Sequence, residues 1–204
     1  MSLGKEVREM TRSIRWRIIV LQVVALLVLA FGSGAAFFAN SFTNDQIHQQ
    51  LAPQQIFFPK DVASGLPTDL KQYAGQQVLN GDQAHAYADK YIALHLKEIG
   101  QDHPYSYWST QARLATDPAI KAKDQGIADT LFKGETLRSI LNQAWTFSVI
   151  AQIAFYAGIA LAIASVIVLG TLIFEVYERM TGREEVEAVR LPRAPATPEL
   201  TPTR

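Results

Sequence analysis

The sequence predicts an all-α membrane protein in which two antiparallel transmembrane helices flank a small helical extracytoplasmic domain. Two charge-free stretches carry this prediction, one between Arg17 and Asp45 and the other between Arg138 and Glu175. Each exceeds the roughly 18 apolar residues that are needed to cross a bilayer. The chain between the two stretches shows helical periodicity and no strand-like alternation of useful length. A membrane-anchored helical fold follows.

Composition excludes several classes of function. The chain has 204 residues, with 19 Lys and Arg against 19 Asp and Glu, and it has no cysteine. The net charge is zero and there is no separate basic cluster, so the sequence lacks the positively charged patch that binds nucleic acid. The lack of cysteine excludes disulfides, thiol catalysis and cysteine-ligated metal clusters. We therefore expect the lipid bilayer and other proteins, but no nucleic acid, as partners.

The first apolar stretch, IIVLQVVALLVLAFGSGAAFF, has the length of one transmembrane helix, about 30 Å. A cleaved signal peptide is the competing interpretation, because basic residues precede this stretch and small residues end it. However, the apolar core is longer than the roughly 7 to 15 residues of a signal peptide. We therefore predict a cytoplasmic segment at residues 1–17 and a transmembrane helix at residues 18–40.

The loop that follows, residues 41–146, is predicted to be the extracytoplasmic helical domain. Pro53 ends any continuation of the first helix, because proline lacks the amide hydrogen that a helix needs. The next run, IFFP, is typical of an extended segment docked on a core, and exposure to a partner is the alternative. Pro67 and Asp69 then open a short helix that ends near Gly75.

Three further helices are expected in the loop. The run NGD at residues 80–82 supplies cap chemistry for a helix that stops before Gly100. After the turn DHP, the run YSYWSTQARLA predicts a second helix. Asp117 and Pro118 form an N-cap and first-turn pair for a third, which Gly126 weakens. The run TLFKGETLRSIL then leads directly into the second span.

The second span is predicted at residues 147–174, with Trp145 at its outer interface and Tyr177 near the inner one. Residues 175–204 are a cytoplasmic tail, which is rich in proline and mixed charge and is expected to be largely disordered. Lys and Arg cluster beside the terminal ends of the two spans. The positive-inside rule therefore predicts that both termini are cytoplasmic and that the central domain lies outside, in the cell membrane of a bacterium.

Small residues lie at matching depths on the two spans. Faces of the small-xxx-small type let helix backbones approach closely in lipid, although Ala and Gly are also common in membrane helices in general. The polar side chains Gln22 and Gln152 are too few for an ion path or a proton relay. We predict packing within the chain or between subunits at Gly32, Ala36, Ala154, Gly158 and Ala162.

Two runs of the loop resemble a known group of proteins. They are LKQYAGQQVLNGDQAHAYADKYIALHLKEIG at residues 70–100 and TLFKGETLR at residues 130–138. Together with the order of spans and loop, they resemble small two-span actinobacterial membrane proteins with an extracytoplasmic helical loop and no established activity. The resemblance implies location and topology, and it carries over no functional residues.

Histidines are the first candidates for chemistry. His85 and Asp89 share a helix face, as do His95 and Glu98, so either pair could supply two metal ligands. We favour solvated surface histidines, because no His-x-x-x-His or Glu-x-x-His arrangement occurs. There is also no Gly-x-Ser-x-Gly turn and no phosphate-binding glycine loop. We therefore predict no catalytic residue, no cofactor and no metal site.

The run KGE at residues 133–135 is the last candidate. Lys133, Glu135 and Arg138 are placed near the outer membrane surface, where they could contact a partner or a lipid headgroup. The favoured interpretation is instead a connection between helices, in which Glu135 and Arg138 form an ordinary i, i+3 pair.

The leading hypothesis is a non-enzymatic integral membrane subunit or scaffold that packs against other membrane proteins or copies of itself. The alternative is an extracytoplasmic ligand-binding or sensory input module. In that case a pocket would be lined by Tyr87, Tyr91, Tyr105, Tyr107 and Trp108.

Overall fold

The computed structural model describes residues 3–180, with side chains described for residues 16–178 and for Met180. These residues form an all-helical protein, and the described part of the chain contains no β-strand. Two helices dominate it: α1 spans Leu3–Leu51 and α5 spans Pro118–Met180. The predicted all-α class with two long apolar helices is thus confirmed. Most of the predicted cytoplasmic tail lies outside the described residues.

Both long helices pass a length and composition test for crossing a membrane. In each, only 6% of the most apolar 18-residue window is buried within the protein. The core helix of a water-soluble domain would instead have most of such a window buried. The exposed apolar surface therefore supports association of these helices with a membrane.

The shorter elements lie between α1 and α5. Three 3₁₀ turns come first, at Ala52–Gln54, Val62–Ser64 and Thr68–Tyr73. Helix α2 spans Gly81–Ala86 and continues through a π-helical segment, Tyr87–Ile92, into α3 at Ala93–Ile99. Helix α4 then spans Tyr105–Leu114.

The helix starts follow the cap signals in the sequence. The Asn80 side chain accepts a hydrogen bond from the backbone N–H of Gln83 at 2.9 Å, and the Gln83 side chain accepts one from Leu79 N–H at 2.8 Å. This reciprocal arrangement satisfies two amide groups at the start of α2. At the start of α5, Asp117 Oδ1 accepts from Ala119 N–H at 2.7 Å. The caps predicted at residues 80–82 and at Asp117 are both present.

The predicted helix connection at residues 133–135 is absent, because α5 is continuous from Pro118 to Met180. Gly134 is accommodated inside the helix, where the Leu96 side chain packs against it. A glycine costs a helix interior only about 1 kcal/mol relative to alanine, so packing against the core can offset it. The π-helical segment at Tyr87–Ile92 was also not predicted, because the apolar residues of this region recur every three or four positions, which is the pattern of an ordinary α-helix.

Two extended segments lie beside each other near the end of α1. An isolated bridge joins Phe57 and Gln77, and the Val78 N–H donates to the Ile56 carbonyl at 2.9 Å. Phe58 is buried with 2% of its surface exposed, while Phe57 is half exposed. The IFFP run therefore docks on a core through alternate residues, as predicted.

By backbone contacts the described chain divides into two compact units, residues 31–161 and residues 3–30 with 162–180. The described part of the second unit is helical, and in it the Gln22 Oε1 atom is buried without a hydrogen-bond partner among the described residues. The first unit contains the main hydrophobic core. Its buried members are Ile47, Leu51, Phe58, Leu66, Leu70, Val78, Ala84, Ala86, Ala88, Ile92, Leu96, Trp108, Ala128, Leu131 and Leu141.

Candidate functional site

Side chains of α1 bond directly to the backbone of α5 within residues 31–161. Ser33 Oγ donates to the Gly158 carbonyl at 2.9 Å, and Asn40 Nδ2 donates to the Ala151 carbonyl at 2.8 Å. Ser33 is buried, with 6% of its surface exposed. Interhelical bonds of this kind in membrane proteins average about 0.6 kcal/mol. Neither residue was predicted, although an isolated polar residue within an apolar helix is a signal for such a bond.

The predicted small-residue positions take part in the same contact. Gly158 is buried, and a Cβ atom there would lie 3.1 Å from the Phe37 ring and 3.3 Å from the Ala36 Cβ. A Cβ atom at Gly32 would lie 3.3 Å from Leu161 Cδ1. The contact therefore contains Gly32, Ala36 and Gly158, three of the five residues at which we predict packing within the chain or between subunits.

The other two predicted packing residues are less enclosed. Ala154 is half-buried one turn before Gly158 on α5. Ala162 is also half-buried, and it belongs to the second compact unit. Their spacing puts both on the helix face of Gly158, but the close approach is described at Gly158 itself.

A polar network joins the π-helical segment to α5. Asp89 Oδ1 accepts hydrogen bonds from Asn142 Nδ2 at 2.9 Å and from Arg138 at 3.1 Å. Arg138 also donates twice to the Glu135 carboxylate, at 2.9 and 3.1 Å, and once to the Ala88 carbonyl at 3.2 Å. Both bonds to Glu135 come from Nη1, while Nε donates to Ala88 and Nη2 to Asp89, so the guanidinium joins α5 to the π-helical segment.

The network changes the electrostatics of its acid. The Asn142 hydrogen bond and, secondarily, Arg138 hold the pKa of the Asp89 carboxyl below its ordinary value, against the opposing effect of partial burial. Nearby, burial raises the pKa of the Tyr87 hydroxyl above its ordinary value. Asp89 is therefore a stably ionised acceptor for the α5 side chains at neutral pH.

The network gives a different role to the predicted surface residues. Arg138 has 26% of its side chain exposed and is engaged with Asp89 and Glu135, so its main contacts are inside the protein. Lys133 is exposed. The predicted Glu135–Arg138 pair is present, but the bond from Arg138 to Asp89 was not predicted, because the two residues lie 49 positions apart in sequence.

The histidines of the loop make ring contacts. His85 stacks on Trp145 with ring centroids 4.2 Å apart, and its Nδ1 lies 2.9 Å from Asn142 Oδ1 and 3.5 Å from Asp89 Oδ2. His95 Nδ1 lies 2.9 Å from the Tyr91 carbonyl. Among the described residues there is no group of three or more His, Cys, Asp or Glu that could hold a metal ion.

Of the aromatic residues considered for a pocket, Tyr87 pairs with Tyr91, and Tyr107 packs edge-to-face on Trp108 with ring centroids 5.3 Å apart. The Tyr87 and Tyr91 rings are 4.8 Å apart and pack against the core. Trp108 is buried and donates from Nε1 to the Gly100 carbonyl at 2.8 Å. Tyr107 stacks on His103, and Tyr105 lines an open cleft of about 620 Å³.

The part of α5 that leads up to the predicted second span exposes large apolar side chains. Phe132, Ile140 and Phe147 are 59%, 56% and 48% exposed, and their spacing puts them on one face of the helix. We call these three residues the outer stripe. The stripe extends about 22 Å along α5, from Phe132 to the predicted start of the span at Phe147.

An open cleft of about 350 Å³ lies between the start of α2, the end of α1 and the middle of α5, and we call it the polar cleft. At Gly81 the start of α2 packs closely against α5, because a Cβ atom there would collide with the Ser148 side chain and lie 3.2 Å from Trp145 Cα. The aromatic residues Phe155 and Tyr156 also line the cleft. Its polar lining residues are Asn40, Asn44, Asn80, Asp82, Ser148 and Gln152.

Fold and contacts define an all-helical protein with two helices of membrane-spanning length and a helical core between them. Comparisons with protein-family models, curated proteins and solved structures give no match for this chain. Function is therefore inferred from the chemistry of the surfaces just described.

Proposed function

We propose that this chain is a non-enzymatic integral membrane subunit or scaffold that packs against other membrane proteins or copies of itself. Its two spans, at residues 18–40 and 147–174, are antiparallel, and the helical domain at residues 41–146 lies outside the cell membrane with both termini in the cytoplasm. The likeness of residues 70–100 and 130–138 to two-span actinobacterial proteins is part of this proposal.

Contacts between α1 and α5 support the antiparallel arrangement. From Gly32 through Asn40, successive α1 residues contact successively earlier α5 residues, from Leu161 back to Ala151. Charge supports the orientation, because basic residues cluster on the terminal sides of both spans. The small-residue contact is internal to the chain, so a partner has to bind another surface.

The observation that carries the assembly role is the outer stripe. Phe132 and Ile140 are more than half exposed at positions that alternate with the charged residues Lys133, Glu135 and Arg138. These charged neighbours keep Phe132 and Ile140 out of the hydrocarbon region, so lipid does not cover these two residues. Exposed apolar side chains on a polar-flanked helix mark protein interaction sites. A second protein surface packed on the stripe would bury them.

The test uses a single charge placed on the stripe. We expect Ile140→Lys to keep the thermal stability of the purified protein and to abolish its self-association, or its retention of another membrane protein, in mild detergent. The matched control is Val62→Lys, because Val62 is 48% exposed and lies outside the stripe. Size-exclusion chromatography with light scattering and mass spectrometry of crosslinked native membranes measure both outcomes. A protein that is monomeric in mild detergent and captures nothing from native membranes contradicts the proposal.

A further inference from the structure

We propose that the polar cleft binds the uncharged, hydroxyl-rich headgroup of a membrane glycolipid. This site is separate from the outer stripe. Its placement at the membrane surface rests on the proposed topology, whereas its chemistry is defined by the cleft itself.

Hydrogen-bonding groups of the cleft are unused within the protein. Asn44, Asp82 and Gln152 all line the cleft, and none of these side chains hydrogen-bonds to another described residue. An amide side chain both donates and accepts, as a sugar hydroxyl does. Several such groups around one cleft can therefore bind a ring that carries several hydroxyls.

The charge of the lining selects against anionic headgroups. No Lys or Arg lines the cleft, and Asp82 is its single charged lining residue. Phosphate recognition in proteins relies on Arg, Lys or a preformed set of backbone amides. A phosphate would lie beside the Asp82 carboxylate without a cation, so an uncharged headgroup fits better.

Position favours a lipid over a free sugar. Asn40 is the last residue of the first predicted span, and Ser148 and Gln152 lie in the first turns of the second. The cleft is therefore at the outer boundary of the hydrocarbon, where headgroups lie. Phe155 and Tyr156 lie about one turn further into the predicted span than Gln152 and form the membrane side of the cleft. Acyl chains attached to a headgroup in the cleft would remain in the bilayer.

Native mass spectrometry of the full-length protein in detergent micelles tests the proposal. The protein is mixed with equal amounts of a monoglucosyl diacylglycerol, the diacylglycerol with the same chains, and phosphatidylglycerol. We expect the glucosyl lipid to be bound preferentially over both others. Gln152→Leu and Asn44→Leu should each weaken this preference about threefold to tenfold, as expected for the loss of a hydrogen bond.

Two further variants separate the explanations. Gln143→Leu is the matched control, since Gln143 is exposed on α5 and does not line the cleft; it should leave the preference unchanged. Asp82→Asn should retain most of the binding, because the amide still bonds to hydroxyls. A complete loss of glucosyl-lipid binding in Asp82→Asn would mean that binding depends on the negative charge of the carboxylate, which an uncharged headgroup does not need, and it would overturn the proposal.

Three other results would also overturn it: equal binding of the three lipids, preference for phosphatidylglycerol, or binding of free methyl glucoside without preference for the glycolipid. Partner capture through the outer stripe is measured on the same preparations. Loss of lipid preference with partner capture intact therefore rejects the glycolipid site alone, and the reverse result rejects the assembly role alone.

Discussion

At the scale of single residues, Gly126 and Gly134 lie two turns apart on α5 in different surroundings. A Cβ atom at Gly126 would have no neighbour within 4 Å, whereas one at Gly134 would collide with the Leu96 side chain and lie 3.0 Å from its Cγ. Leu96 is itself buried in the core, with 7% of its surface exposed. Gly134 therefore has a packing role that Gly126 does not have.

The same substitution at the two glycines should have opposite effects. Gly134→Ala should destabilise the protein by about 1 to 3 kcal/mol, because the added methyl overpacks the Leu96 site. Gly126→Ala should be neutral or should stabilise it by up to about 1 kcal/mol, because alanine favours the helix. Thermal unfolding of both purified variants in one detergent measures the difference. Equal effects would show that Gly134 is not close to Leu96.

Asp89 provides a pH-dependent test of the polar network. Its pKa is lowered in the folded protein from the ordinary value of 3.8, so its contribution to stability is present above that pH and is lost as the pH falls through the lower folded pKa. Asp89→Asn should cost about 0.2 to 1 kcal/mol at pH 7, as expected for a partly exposed pair. Below the folded pKa the variant and the parent protein should become similar.

Two features make this comparison specific. Besides Asn142 and Arg138, His85 also faces Asp89, with its Nδ1 atom 3.5 Å from Asp89 Oδ2, and this contact is the same in the parent protein and in the control. The control is Asp129→Asn, an exposed acid on α5 that bonds to Gln125. Thermal unfolding from pH 7 to acid pH should show a pH-dependent difference for Asp89→Asn and none for the control.

At the scale of elements, α5 is much longer than the thickness of a bilayer. Its 63 residues would extend about 95 Å, against a hydrocarbon thickness of roughly 30 Å. One continuous helix therefore contains a predicted span and, before it, the Arg138 network and the outer stripe. Its contact with α1 at Gly158 joins the membrane portion of this helix to the other predicted span.

Gly158→Leu tests that contact. The added side chain would collide with Phe37 and Ala36, and overpacking of this kind costs about 1 to 3 kcal/mol. We expect a lower thermal stability of the purified protein. Ile159→Leu is the control, because it conserves volume at a position that is 37% exposed. Unchanged stability of Gly158→Leu would mean that α1 does not pack at this face.

At the scale of the whole molecule, the positions of the basic residues and of the apolar stretches predict a membrane topology. Basic residues flank the terminal ends of both apolar stretches, and the chain as a whole has no net charge. We therefore expect a reporter fused after Arg204 to be active in the cytoplasm. A tag inserted after Asp102, which is exposed in a turn, should be labelled from outside intact cells. The opposite labelling pattern would reject the orientation that follows from the positive-inside rule.

Local signals in the sequence determined the helical class, the two apolar stretches and the starts of α2 and α5. A cap such as Asn80 with Gln83, or Asp117 with Ala119, involves residues within three positions of each other. An apolar stretch likewise needs no partner to be recognised. These features depend on neighbouring residues, so they could be predicted without a tertiary structure.

Tertiary structure alone decided what the same residues contact. Lys133 and Glu135 lie within a continuous helix in which Gly134 packs against Leu96, and no local pattern contains that contact. The bonds from Arg138 to Asp89 and from Ser33 to Gly158 join residues 49 and 125 positions apart. Such pairs depend on how helices dock, since docking places each side chain beside groups that are distant in sequence. The polar cleft has the same origin, because α1, α2 and α5 each contribute part of its wall.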